Sequence, residues 1–190
     1  MIYKRAFEFA KSMLSQDRFE HSVSTAEYGY ELARRYGVDP DRAYLAGLLH
    51  DVAREMPPGS LYLQARKQGI ILRREERDCP LLLHGKVAAV IVEKEFGIKD
   101  KGVLNAIASH VTGRRHWTKL EQIVYLADKV EPTRTYPGAG IVRELLGQGE
   151  FERALLEGLR NAITYAAQSK GWIVDTETVV VFNEIAKTQT

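Results

Sequence analysis

The segment 40–55, PDRAYLAGLLHDVARE, constrains this chain more than any other. Asp39-Pro40 opens a helix there, and from Ala43 to Leu49 it is apolar almost all round, the pattern of an element buried on every side. Such a helix has to be covered by other elements, so the chain must wrap a core around it. The same helix carries His50 and Asp51 into apolar surroundings and ends before Pro57-Pro58-Gly59. A buried carboxylate is costly unless positive charge meets it.

The flanking segments supply the cover. Residues 2–15 read as a first helix, and 20–36 as a second with Val23, Ala26, Tyr30 and Ala33 on one face and Gly37 as its stop. A short helix is expected at 60–68. The stretch LRREERD alternates in sign and reads as solvated surface. Further helices are expected at 81–96, near 101–110 and at 118–130. They place His84 with Val87, Ala88 and Ile91, His110 with Val103 and Ile107, and Asp128 one turn beyond Val124. FERALLEGLRNAITYAAQ reads as one long helix. TETVVVFNEIA reads as a short final helix despite its run of valines. The expectation is an all-α fold: a single helical domain over 1–190, its core at about 18–135 and its C-terminal helices over 139–188 packed on that core.

Composition narrows the partners. Hydrophobic residues make up 45% of the 190, enough to bury a core, and a net charge of +2 makes no electrostatic case for nucleic acid or membrane. The Arg114–His116 triplet is too short to change that, and His116 reads as a surface residue. Cys79 is alone, so no internal disulfide is available and a reducing cytosol suits the chain. The first residues, MIYKRAFEFAKSMLSQ, scatter charge where a signal peptide needs an apolar run, and no segment approaches the roughly 18 apolar residues of a membrane span. The expected location is cytoplasmic, with no nucleic-acid or membrane partner.

Five of the expected helices present His or Asp on an apolar side, in the order His21, His50-Asp51, His84, His110, Asp128. Imidazole and carboxylate together suit first-row transition metals. Two aspartates, one of them bridging, can hold two dications close together. Such a pair lowers the pKa of a shared water and clamps both sides of a phosphoryl displacement.

LLHD, followed by LLLHG, SHVTG and YLADKVEPTR, resembles the HD-domain metal phosphohydrolases and, more narrowly, the YqeK-type symmetrical bis(5′-nucleosyl)-tetraphosphatases, over about Arg18 to Asn183. The resemblance implies a helical HD fold with a binuclear centre in its core. His21, His50 and Asp128 would hold one metal, His84 and His110 the other, and Asp51 would bridge. Iron is the implied metal, with manganese, cobalt or other divalent ions as substitutes. The implied reaction is hydrolysis of diadenosine tetraphosphate to two ADP by a metal-bridging hydroxide. Asp51, His84, Lys86 and Arg134 would serve catalysis. Arg54, Lys86, Thr112, Gly113, Arg114, Arg134, Tyr136 and Asn183 would contact substrate. Two positions depart from the family: Val111 replaces the first of two threonines, and Arg54 replaces a lysine. The resemblance admits a homodimer. Two other readings stand beside it. One is an HD-domain nucleotidase or phosphodiesterase for another nucleotide, because metal ligands do not choose the substrate. The other is a non-catalytic nucleotide-binding module, against which all six ligand positions are filled.

Overall fold

The computed structural model describes residues 2–188. Among these residues the chain is helical, with no strand: α1 (Ile2–Met13), α2 (Gln16–Arg35), α3 (Pro40–Leu49), α4 (Pro58–Lys67), α5 (Arg74–Asp78), α6 (His84–Phe96), α7 (Lys101–Ser109), α8 (Lys119–Val130), α9 (Pro137–Gly147), α10 (Phe151–Gln168) and α11 (Thr176–Thr188). A 3-10 turn, Pro80–Leu83, leads into α6. The expected all-α fold is the fold observed.

Local chemistry sets the helix starts. Asp39 Oδ1 accepts the Asp41 and Arg42 amides, with Pro40 in the first turn of α3. Asp100 does the same for α7 and the Thr118 hydroxyl for α8, each satisfying amides that a helix start leaves open.

α2, α3 and α8 form the heart of the core, and small residues let them close on one another. A Cβ on Gly47 would stand 2.8 Å from the Ala26 Cα, and one on Gly29 would touch Ala127 and the Ala43 carbonyl. Since Gly47 meets Ala26 and Ala43 meets Gly29, α2 and α3 run antiparallel. That direction brings the start of α2, carrying His21, to the end of α3, carrying His50 and Asp51. Leu48, Leu49, Ile123, Val124, Tyr125 and Leu126 are fully buried around this contact. α7 packs on α3, α6 and α8, and α10 packs on α8, α9 and α11.

Two departures from the sequence reading have physical causes. α3 stops at Leu49 and does not run to Glu55. The His50 Nδ1–H takes the Gly47 carbonyl at 2.6 Å, the acceptor a continuing helix would offer to the Asp51 amide. Tight turns follow, with Val52 N on Leu49 O and Arg54 N on Asp51 O. Residues 137–147 form α9, entered through Pro137, at the start of the C-terminal helices expected over 139–188. LRREERD is not wholly solvated either: Glu76 is fully buried. Its carboxylate accepts from Lys86 Nζ at 2.6 Å, Arg73 Nη2 at 3.1 Å and the Arg73 amide at 2.9 Å. Arg73 also reaches Asp175 at 2.7 Å, and Asp175 caps α11, so the group ties α5, α6 and α11 together. No helix among the described residues is long and apolar enough to cross a membrane.

Burial alone would raise the Glu76 pKa, but Lys86 and Arg73 outweigh it and hold it below the ordinary 4.5. A depressed carboxylate stabilises the fold above its unfolded pKa and loses that contribution as pH falls. Glu76→Ala is expected to destabilise the protein by roughly 2 kcal/mol, within the range for hydrogen bonds to charged groups. Urea melts at neutral pH measure this, and the difference from wild type should shrink below pH 4.5.

Candidate metal centre

His50, His84 and His110 share one local device. Each follows the last residue of a helical turn, and each gives its Nδ1 proton to the carbonyl three residues back: Gly47 at 2.6 Å, Leu81 at 2.6 Å and Ile107 at 2.7 Å. A carbonyl can only accept, so Nδ1 carries the hydrogen, and in the neutral ring Nε2 keeps a lone pair. In all three rings that lone pair points inward. The fourth ring, His21, donates from Nδ1 to Glu131 Oε1 at 3.1 Å, while its Nε2 lies 3.1 Å from the Arg134 guanidinium, which can only donate. All four Nε2 atoms therefore face one centre, and the Asp128 carboxylate 3.0 Å from His21 Nε2 calls for a proton or a cation between the two.

Two carboxylates complete it. Asp51, 2% exposed, divides its oxygens: Oδ1 lies 3.2 Å from His84 Nε2 and 3.5 Å from His110 Nε2, and Oδ2 lies 3.4 Å from His50 Nε2 and 3.9 Å from His21 Nε2. Asp128 Oδ1 lies 3.0 Å from His21 Nε2 and 3.6 Å from His50 Nε2. His84 Nε2 and His110 Nε2 approach to 3.0 Å, and His50 Nε2 is buried with no hydrogen-bond partner. Two lone pairs at that distance repel unless a cation or a proton lies between them. The residues fit metal ions on this ground, and three overlapping His/Asp groups have ligand atoms close enough to hold one: His21-His50-Asp51, His50-His110-Asp128 and Asp51-His84-His110.

The electrostatics point the same way. Burial alone would depress the His50 pKa, yet Asp51 and Asp128 outweigh it and lift it to about 10. Burial pushes His110 down to about 4, despite its hydrogen bond to Asp51, with His50 and His84 adding to the fall. Burial opposes charge on both aspartates, but the histidines beside Asp51, and Lys129 with His21 and His50 beside Asp128, hold their pKa values well below the ordinary range. The field at the centre demands positive charge, which a proton or a metal ion supplies.

Beside the centre opens a cleft of about 580 Å³, lined by Arg18, His21, Glu55, Glu131, Arg134 and Tyr136 among others. Arg134 reaches Asp128 Oδ1 at 3.3 Å and the Asp128 carbonyl at 3.1 Å, and Tyr136 stands half-exposed at the rim. The other residues expected at the substrate have different partners. Lys86 is held by Glu76, and Arg114 is gripped at 2.7 Å by each oxygen of the fully buried Glu121. Arg54 lies over the Trp172 ring at 5.8 Å. Thr112 is buried, with its carbonyl taken by the Thr178 hydroxyl, and Gly113 adopts φ 71° against Trp117. Asn183 is exposed on α11, and His116 is exposed as expected, at φ 53°. Sequence reasoning missed Arg18, whose Nη1 meets Asp51 Oδ2 at 3.1 Å, and Glu131. Arg18 stands three residues before His21, one turn along the same face of α2, and that spacing was the available signal.

Gly85 explains how α6 and α7 bring His84 to His110. A Cβ there would meet the Ile107 carbonyl at 2.9 Å, the Ala108 carbonyl at 3.0 Å and His110 Cε1 at 3.1 Å. Gly85→Ala is expected to displace His110 and weaken divalent-metal retention by about tenfold, the lower end for disturbing groups that orient a ligand. Metal content after dialysis measures this, and wild-type retention would show that the close approach does not position His110.

Residues 18–133 match the HD-domain family. The chain is 35% identical over 175 residues to the "Bis(5'-nucleosyl)-tetraphosphatase, symmetrical" of Staphylococcus aureus, covering 88% of this chain and 87% of that one. It is 32% identical over 189 residues to the Bacillus subtilis protein of the same name, covering 96% and 97%. Its fold is similar to the crystal structure of an HD superfamily hydrolase, described as involved in NAD metabolism, from Clostridium acetobutylicum: TM-score 0.91, 31% identity, 98% of this chain and 97% of that one. The chain belongs to the HD-domain family, in the branch that contains the symmetrical bis(5′-nucleosyl)-tetraphosphatases.

Proposed function

We propose that this protein is a metal-dependent hydrolase of dinucleoside tetraphosphates that cleaves diadenosine tetraphosphate symmetrically into two ADP. The substrate follows the relatives of that name, and the observation that carries the metal chemistry is the division of Asp51, one oxygen toward His84 and His110 and the other toward His21 and His50. A carboxylate so placed suits a bridge between two ions. In this reading His21, His50 and Asp128 hold one ion and His84 and His110 hold the other. The His-rich, carboxylate-containing donor set suits iron, with manganese or cobalt as substitutes. Two bound divalent ions would supply a water of lowered pKa and a clamp for phosphoryl charge.

The chain's own residues do the rest. Arg18 and Arg134 flank the centre on the cleft side and are about one-third exposed, so their guanidinium groups can take phosphate oxygens as substrate enters. Tyr136 at the rim offers a ring face to a nucleoside base. Lys86 and Arg114 hold buried carboxylates and serve the frame around the site. The leaving group is a nucleoside diphosphate, stable as an anion, so strong proton donation to it is not required and charge stabilisation dominates.

The test is to supply diadenosine tetraphosphate to the anaerobically purified protein and separate the products by ion exchange. ADP alone is expected, lost on chelation and restored by iron or manganese. AMP with ATP would reassign the cleavage position, and no turnover by the metal-loaded protein would discard the substrate. Asp51→Ala is expected to abolish turnover with the helical fold retained. Arg18→Ala and Arg134→Ala should each lower kcat/KM by roughly ten- to a hundredfold with metal content unchanged, the scale of a lost charged hydrogen bond. Wild-type kinetics in either variant would remove that arginine from the site.

A further inference from the structure

We infer that Glu131 is a positioning residue, which fixes the ring of His21 and ties that ligand to the turn carrying Arg134; the inference rests on the metal reading above. His50, His84 and His110 are oriented by main-chain carbonyls three residues back, at the ends of α3 and α7 and, for His84, at a Leu81 carbonyl that also accepts the His84 amide. His21 does not use that device. It lies inside α2, where the carbonyls one turn back are engaged in the helix's own hydrogen bonds. Its Nδ1 proton goes instead to a side chain, the fully buried Glu131 carboxylate, at 3.1 Å.

Glu131 is itself held in place. Oε1 accepts the Thr133 hydroxyl at 2.6 Å, and Oε2 accepts the Ser24 hydroxyl at 2.6 Å and the Thr133 amide at 2.7 Å. Ser24 lies one turn beyond His21 on α2, so the carboxylate is fixed to the helix whose histidine it orients. The Arg134 amide bonds the Glu131 carbonyl at 2.9 Å, and its guanidinium lies 3.6 Å from Oε1. One buried carboxylate thus sets a metal ligand and anchors the arginine turn.

A charged carboxylate makes an imidazole a stronger electron donor than a carbonyl does. The two ions should therefore be unequal, the one at His21 depending on Glu131 and the one at His84 and His110 not depending on it. The experiment is calorimetric titration of manganese into the metal-stripped full chain, for wild type, Glu131→Gln and Ser24→Ala. Wild type is expected to bind two ions. In Glu131→Gln one ion should weaken about 10- to 100-fold, the range for losing a group that orients a ligand, while the other keeps its affinity. Ser24→Ala, which touches only the carboxylate's support, should weaken the same ion to a smaller degree, and it carries the test if Glu131→Gln does not fold. Unchanged affinities overturn the inference. Equal weakening of both ions overturns it too, because it marks a general loosening of the fold. A wild-type protein that binds no manganese or iron overturns the metal reading itself.

Discussion

Inward-facing lone pairs are the constraint on which the rest of this structure depends. Three histidines give their Nδ1 protons to carbonyls of their own turns and a fourth gives its proton to Glu131, so four Nε2 atoms and two aspartates converge, and in neutral rings none of those nitrogens carries a proton. In a core lined by residues such as Leu48, Leu49, Ile107 and Val124 that arrangement is stable only with positive charge at its centre. Asp51 is the hinge of the arrangement, because its two oxygens serve different pairs of rings.

The fold supplies the position. Gly47 against Ala26 and Gly29 against Ala127 let α2, α3 and α8 approach at backbone distance, and Gly85 does the same between α6 and the end of α7. Each close approach delivers a ligand: His21, the His50-Asp51 pair and Asp128 in the first case, and His84 with His110 in the second. Rigid elements packed this closely hold donor atoms to fractions of an ångström, which metal sites require. On the cleft side Arg18 and Arg134 bring charge complementary to a polyphosphate.

Much of this was legible in the sequence because it is local. The all-round apolar run of α3 demanded a surrounding core, and three- and four-residue spacing put His84, His110 and Asp128 on buried faces. The end of α3 was misjudged, at Leu49 and not Glu55, because a histidine ring competing for a carbonyl leaves no trace in hydrophobic periodicity, whereas α7 ends at Ser109 beside the expected His110. Charge pairing was harder to read. Glu131 lies 110 positions from His21, and the carboxylate that claims Lys86 sits in a charged stretch that looked solvated. Arg114 and Glu121 are seven residues apart, but Arg114 lies before α8 and not on it, so helical spacing does not pair them. Arg18 was within reach, one turn before His21.

The proposed cluster holds two ions with Asp51 between them. Anomalous diffraction from crystals grown anaerobically with manganese tests it most directly. The account predicts two peaks about 3.5–4 Å apart, the spacing of two-metal hydrolytic sites, one on each oxygen of Asp51. A single peak, or peaks that leave Asp51 as a ligand to one ion only, would contradict it.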